Sequence, residues 1–133
     1  MSELTEHVMS SLAGVLAGDP RVLAAYLYGS SIDGTATSSS DVDVGVLFST
    51  RVPLRELIQL ETQLVESIDM TVDLVDVRRV GAFVALEIIR GDRFFCRDEV
   101  STDEFDLYVL RRAGDLEPFE RARRAFYLAD GGG

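Results

Sequence analysis

A chain of 133 residues, 47% hydrophobic and 27% charged, has the make-up of one soluble globular domain with little room for a second lobe. Its formal charge of −10 argues against a long polynucleotide as ligand, because affinity for one comes mainly from cations meeting phosphates. All 13 basic residues are arginine and His7 is the only histidine, so a catalytic lysine, a histidine triad and a histidine-based zinc site are excluded by count.

No apolar run reaches the length of a membrane span, and the first residues lack a signal-peptide pattern. Cys96, the one cysteine, has no internal disulfide partner, which fits a reducing cytoplasm; a small apolar strand residue is its expected role. The charge is uneven. Residues 1–77 hold three arginines against twelve acids, and residues 78–133 hold ten against eleven. Most of those arginines are expected on solvated helix faces, with some available to a phosphate or a partner.

Ser2 can cap a helix over Glu3 to Ala17, with Leu4, Val8, Leu12, Val15 and Leu16 on one face and His7 exposed. Gly18, Asp19 and Pro20 end it. Val22 to Tyr28 is an almost unbroken apolar run, as expected of a central strand buried on both faces, and it delivers Gly29 and Ser30 to its end. A polar linker follows, and Asp41 to Phe48 reads as a second strand. Pro53 opens a helix to Ile68 whose inward face is read as Leu54, Leu57, Ile58, Leu64, Val65 and Ile68.

Met70 to Val77 reads as a third strand, with Asp76 near its end as a solvated or capping residue. Gly81 to Arg90 reads as a short helix carrying Phe83, Leu86 and Ile89, and Arg93 to Arg97 as a short edge strand. Ser101 and Glu104 have the spacing of a capping box for a helix bearing Phe105, Tyr108 and Val109. That helix is expected to break near Gly114. Pro118 would then open a last helix with Phe119, Ala122, Ala125 and Phe126 inward and Arg112, Arg121, Arg123 and Arg124 outward. Residues 1–130 form a single domain in this reading, and 131–133 a disordered, fraying tail.

The chemistry concentrates between Tyr26 and Phe48. Period-two alternation puts Asp41 and Asp43 on one face of the second strand and Val42, Val44 and Val46 on the other. Two neighbouring carboxylates repel unless they share a proton, meet a base or bind a cation. Oxygen ligands in a Gly- and Ser-rich setting favour Mg²⁺, which is commonly held by one or two carboxylates plus phosphate oxygens. Gly29 lets the backbone approach a ligand, and Ser30 can offer its N–H and hydroxyl to a phosphate. Asp73 would add a third carboxylate if its strand lies beside the second.

Gly29-Ser30, ten residues, then Asp41-Val42-Asp43 resembles the signature of the DNA polymerase beta-like nucleotidyltransferase superfamily, and within it the minimal nucleotidyltransferase family. Gly34, Ala36, Ser40, the run VDLVDVRRV from Val72 and the run IIRGDRFFCRDE from Ile88 extend the likeness over most of the chain. Asp33 departs from it, standing before Gly34 where the family frequently has Arg.

The resemblance implies an α/β (α+β) fold with a small mixed sheet of about four strands flanked by helices. It also implies metal ligation by Asp41, Asp43 and Asp73, with two Mg²⁺ ions, and phosphate binding by Gly29 and Ser30. ATP would be the substrate, and the function that of an antitoxin transferring AMP to a HEPN-domain ribonuclease toxin. The alternatives are a non-catalytic antitoxin that acts by binding and a small-molecule nucleotidyltransferase. The length disfavours the last, since little material remains for an acceptor pocket. Edge strands and the basic C-terminal face suit a homodimer or hetero-oligomer.

Overall fold

The computed structural model describes residues 3–29 and 41–131, with side chains described as far as residue 125. Its elements are α1 (Glu3–Ala17), β1 (Val22–Tyr28), β2 (Val42–Phe48), α2 (Leu54–Ile68), β3 (Val72–Asp76), α3 (Ala82–Ile89), β4 (Asp92–Cys96) and α4 (Glu99–Gly131), with a 3₁₀ turn at Val77–Arg79. The four strands form one mixed sheet in the order β3-β2-β1-β4. β1 is antiparallel to both β2 and β4, while β2 and β3 are parallel and joined through α2. This is the predicted class, a small mixed sheet flanked by helices.

The central strands are buried on both faces, which explains why β1 carries almost no polar residue. One face packs Ala25, Leu27, Val44, Val46 and Phe48 against Leu12 and Leu16 of α1 and Leu60 and Leu64 of α2. The other packs Ala24, Tyr26, Tyr28 and Leu47 against Ala85 and Ile88 of α3 and Phe105 and Val109 of α4. Each fully buried aliphatic or aromatic side chain contributes on the order of 1.5–3 kcal/mol. Tyr26, with no exposure, donates its hydroxyl to Asp106 at 2.7 Å, and Arg93 donates to the other oxygen of that carboxylate at 2.5 Å. One polar network thus ties β1, β4 and α4 together.

Several expectations are corrected. In α2 the buried residues are Leu60 and Leu64, with Leu57, Val65 and Ile68 packed beside them, while Leu54 and Ile58 are exposed. The inward stripe centres on Leu57, Leu64 and Ile68, and Ile58 lies about 100° round the helix from Leu57. Leu4 of α1 is likewise exposed. α3 turns Ala82, Ala85 and Ile88 inward rather than Phe83, because the helix docks closely on the sheet. A Cβ added to Gly45 would collide with Cγ2 of Ile88, so glycine there is what permits that approach.

The cap of α4 is Asp98 rather than Ser101: its carboxylate accepts from both the amide and the hydroxyl of Ser101, each at 3.0 Å. The helix does not break at Gly114, and Pro118 lies inside it. Proline removes one intrahelical donor and its ring opposes the carbonyl of Gly114. The turn nevertheless persists among helix-supporting pairs, Arg121 with Glu117 and Arg123 with Glu120. Phe119, Ala122 and Ala125 face solvent, since α4 from Gly114 onward extends past the sheet. Asp76 is 7% exposed, so it is not solvated; it caps the 3₁₀ turn by accepting from the amide of Arg78.

The cap assigned to Ser2, the inward placement of Phe126 and the fraying of 132–133 fall outside what is described; Gly131 is the last residue of α4. Cys96 is half-buried in β4.

Candidate active site

Three strand ends meet at one corner of the sheet. β1 ends at Tyr28, β2 begins at Val42 and β3 at Val72, and the register aligns Tyr28 with Asp43 and Asp43 with Asp73. Aligned neighbours in a sheet project to the same side, so the phenol and the two carboxylates form a row. Asp43 shares its parity with Gly45, which α3 covers, and the row therefore lies on the α3 face just beyond Ile88. Asp41 precedes the strand by one residue, and its charge acts on the Asp43 carboxyl. The predicted trio of Asp41, Asp43 and Asp73 is thus brought to one corner.

Gly29 continues β1 with φ +76, a left-handed conformation. A Cβ built on it would stand 3.3 Å from Cγ of Asp43 and well under 3.0 Å from its Oδ2. The backbone of residue 29 therefore lies directly against the Asp43 carboxylate, and any larger residue would have to push that carboxylate aside. The other predicted phosphate ligand, Ser30, lies outside the described residues, as do Asp33, Gly34, Ala36 and Ser40.

Asp43 is half-buried, while Asp41 and Asp73 are exposed. Burial pushes the Asp43 carboxyl above its ordinary range, and the charges of Asp73, Asp41 and Glu87 push it further. Tyr28, 8% exposed, is held up to about 12 by burial and then by Asp43, Asp73 and Glu87. Among the described residues no arginine forms an ion pair with any of the three aspartates. The corner is an uncompensated anionic cluster, and a bound cation would relieve it.

Oxygen-only donors suit a hard divalent ion. Among the described residues no three acidic, histidine or cysteine side chains stand close enough to cage an ion alone. That fits an ion completed by phosphate oxygens and water rather than an all-protein cage.

Two residues at this corner went unread in the sequence, Tyr28 and Glu87. Tyr28 shares the parity of Tyr26 and immediately precedes Gly29, a signal that period-two counting would have given. Glu87 is the one charged residue in AFVALEII, an anomaly visible without a structure.

Residues 10–100 match the family model described as polymerase beta, nucleotidyltransferase. The protein adenylyltransferase MntA of Shewanella oneidensis is 30% identical over 70 residues, 53% of this chain. That alignment spans 50% of the curated relative's own length. Among solved structures, a chain from a toxin-antitoxin crystal structure with AMP-PNP superposes with a TM-score of 0.75 at 20% identity, over 94% of this chain and 98% of that one. A chain from the complex of a tri-AMPylated Shewanella oneidensis HEPN toxin with an MNT antitoxin gives 0.71 at 18% identity, over 96% and 98%. At these identities the structural likeness is one of fold. Among the described residues no helix is long and apolar enough to cross a membrane.

Proposed function

The chain belongs to the polymerase beta nucleotidyltransferase family, and from that premise we propose that it is an antitoxin that transfers AMP from ATP to a HEPN-type ribonuclease partner. The observation that carries this reading is the row of Asp43 and Asp73 beside Gly29, uncompensated by any described arginine. The MntA relative, named a protein adenylyltransferase, and the fold shared with chains of toxin-antitoxin complexes support the choice of acceptor.

In this reading Asp41 and Asp43 would hold Mg²⁺, two ions in all, with Asp73 beside them nearer the acceptor. When bound, Mg²⁺ supplies Lewis-acid stabilisation of the charge that builds on the phosphate oxygens. Gly29 and Ser30 bind the β- and γ-phosphates, where the left-handed turn at residue 29 exposes backbone to the ligand. An acceptor hydroxyl attacks the α-phosphorus, the bond from that phosphorus to the bridging oxygen breaks, and pyrophosphate leaves. Asp73, exposed at the mouth of the corner, accepts the hydroxyl proton. Tyr28 walls the corner on the β1 side with a hydroxyl that stays protonated at neutral pH.

The partner reading is supported by α4. From Gly114 to Ala125, the part of this stretch whose side chains are described, no residue is buried, and Leu116 and Phe119 stand 37% and 74% exposed. A helix end without packing draws little stability from its own propensity, and a second protein would supply the missing face.

The test is the intact mass of a HEPN-type ribonuclease after incubation with this chain, ATP and Mg²⁺. One or more AMP units should be gained with the native chain and none with the Asp41→Asn, Asp43→Asn double variant. A stable complex without mass gain would replace transfer with neutralisation by binding. Equal gain with the double variant would remove these aspartates from the metal role.

A further inference from the structure

The acidic corner lies at the amino ends of the parallel strands β2 and β3, and their carboxyl ends have the opposite character. In a parallel β-α-β unit the carboxyl ends face the positive ends of the following helices, which is where such sheets commonly take anions. Here α2 starts after Pro53 and α3 after Gly81, and neither is capped by a side chain. On this side of the sheet a cavity of about 500 Å³ is lined by Ser49, Thr50, Arg51, Asp76, Arg78 and Arg79.

The arginines are held in place from behind. Arg78 donates its Nε to the carbonyl of Phe48 at 3.1 Å and lies over the Phe105 ring, 5.1 Å from its centroid. Arg79 donates to the carbonyl of Val52, and its Nε is 3.4 Å from the Asp76 carboxylate, whose side chain is 5% exposed. Arg51 is exposed, and among the described residues neither it nor Arg78 has an acidic partner. A chain with 23 acids and 13 arginines thus leaves two cations unpaired in one cavity, above a buried acid that positions a third. Opening from the same wall, a groove of about 750 Å³ offers the Phe105 and Tyr108 side chains and Arg112, with Asp98 and Glu104 on its far side. Asp98 is engaged in capping Ser101.

We propose that this carboxyl-end cavity is a second anion site, which takes the phosphate group of a small phosphorylated ligand through Arg51, Arg78 and Arg79. From Asp43 to Ser49 the strand rises through six residues, about 20 Å, which is too far for one triphosphate to occupy both ends. The site is therefore separate from the acidic corner and does not depend on the transfer reaction. The phosphate comes either from a free polyphosphate or from a nucleotide whose base lies along Tyr108 in the groove.

The test is calorimetric titration of the full chain with inorganic pyrophosphate, triphosphate and ATP in EDTA at low salt. Without a divalent ion the aspartates repel these ligands, so binding reports the arginine site alone. Binding should weaken with added salt, fall about tenfold in Arg51→Ala through loss of a charge-assisted contact, and persist in the Asp41→Asn, Asp43→Asn double variant. Amide shifts in NMR should cluster at residues 49–52 and 77–79. ATP binding more tightly than triphosphate would assign the groove to a nucleoside, and equal affinity would confine the ligand to its phosphates. Absence of heat and of shifts at those residues at millimolar ligand, or affinity unchanged in Arg51→Ala, would overturn the proposal.

Discussion

Replacing Gly29 by alanine tests the corner at its tightest point. Residue 29 has φ +76, and a non-glycine residue held in that region costs about 1–2 kcal/mol. The added methyl would also stand 3.3 Å from Cγ of Asp43 and well inside 3.0 Å of Oδ2. The obstructing atoms belong to a side chain, so the carboxylate can rotate away while the strand pairing holds. Displacing it by up to about 1 Å is the scale at which a misplaced catalytic group loses about 10²-fold in rate. Gly29→Ala should therefore fold, lose about 1–2 kcal/mol in urea unfolding without metal, and lose most of the extra stability that Mg²⁺ with ATP gives the native chain. Transfer measured by mass should drop about a hundredfold. A variant with native stability, native stabilisation by Mg²⁺ and native transfer would refute the close approach of residue 29 to Asp43 and its place in the site.

Asp43→Asn should raise metal-free stability near neutral pH, as read by thermal unfolding. A carboxyl whose folded pKa is raised destabilises the fold when ionised, so the gain should shrink as pH falls through that raised pKa to the ordinary carboxylate range. With Mg²⁺ present the order should reverse, since only the native side chain offers the ion a charged carboxylate. Asp106→Ala strands the buried Tyr26 hydroxyl and should cost about 1–3 kcal/mol in chemical unfolding, most of it recovered by adding Tyr26→Phe. Phe119→Ala should leave unfolding within about 0.5 kcal/mol of the native chain, because nothing covers the ring, yet weaken capture of the ribonuclease partner in a pull-down titration.

The strands and the acidic motif were legible in the sequence because they rest on short-range rules. Apolar continuity marks β1, and period-two alternation fixes the faces of Asp41, Asp43 and Val44 whatever lies beside them. The end of α1 at Ala17 follows from the breaker Gly18-Asp19-Pro20 in the same way. What the sequence left open was decided by neighbours distant in the chain. Which side of α2 is inward depends on where α1 and the sheet lie, so Leu60 is buried and Ile58 is not, although both are apolar. α3 buries alanines because Gly45, 43 residues upstream of Ile88, admits that side chain so closely.

Local breaker signals at Gly114 and Pro118 failed because i,i+3 and i,i+4 pairs can carry an exposed helix past one missing donor. The pairing of Asp43 with Asp73 needed the parallel alignment of β2 and β3, and the gathering of Arg51, Arg78 and Arg79 at the opposite end needed the same crossover. Residue type and alternation thus set which side chains were available on each strand. Only strand order and register, which depend on packing across the whole sheet, determined which of them meet.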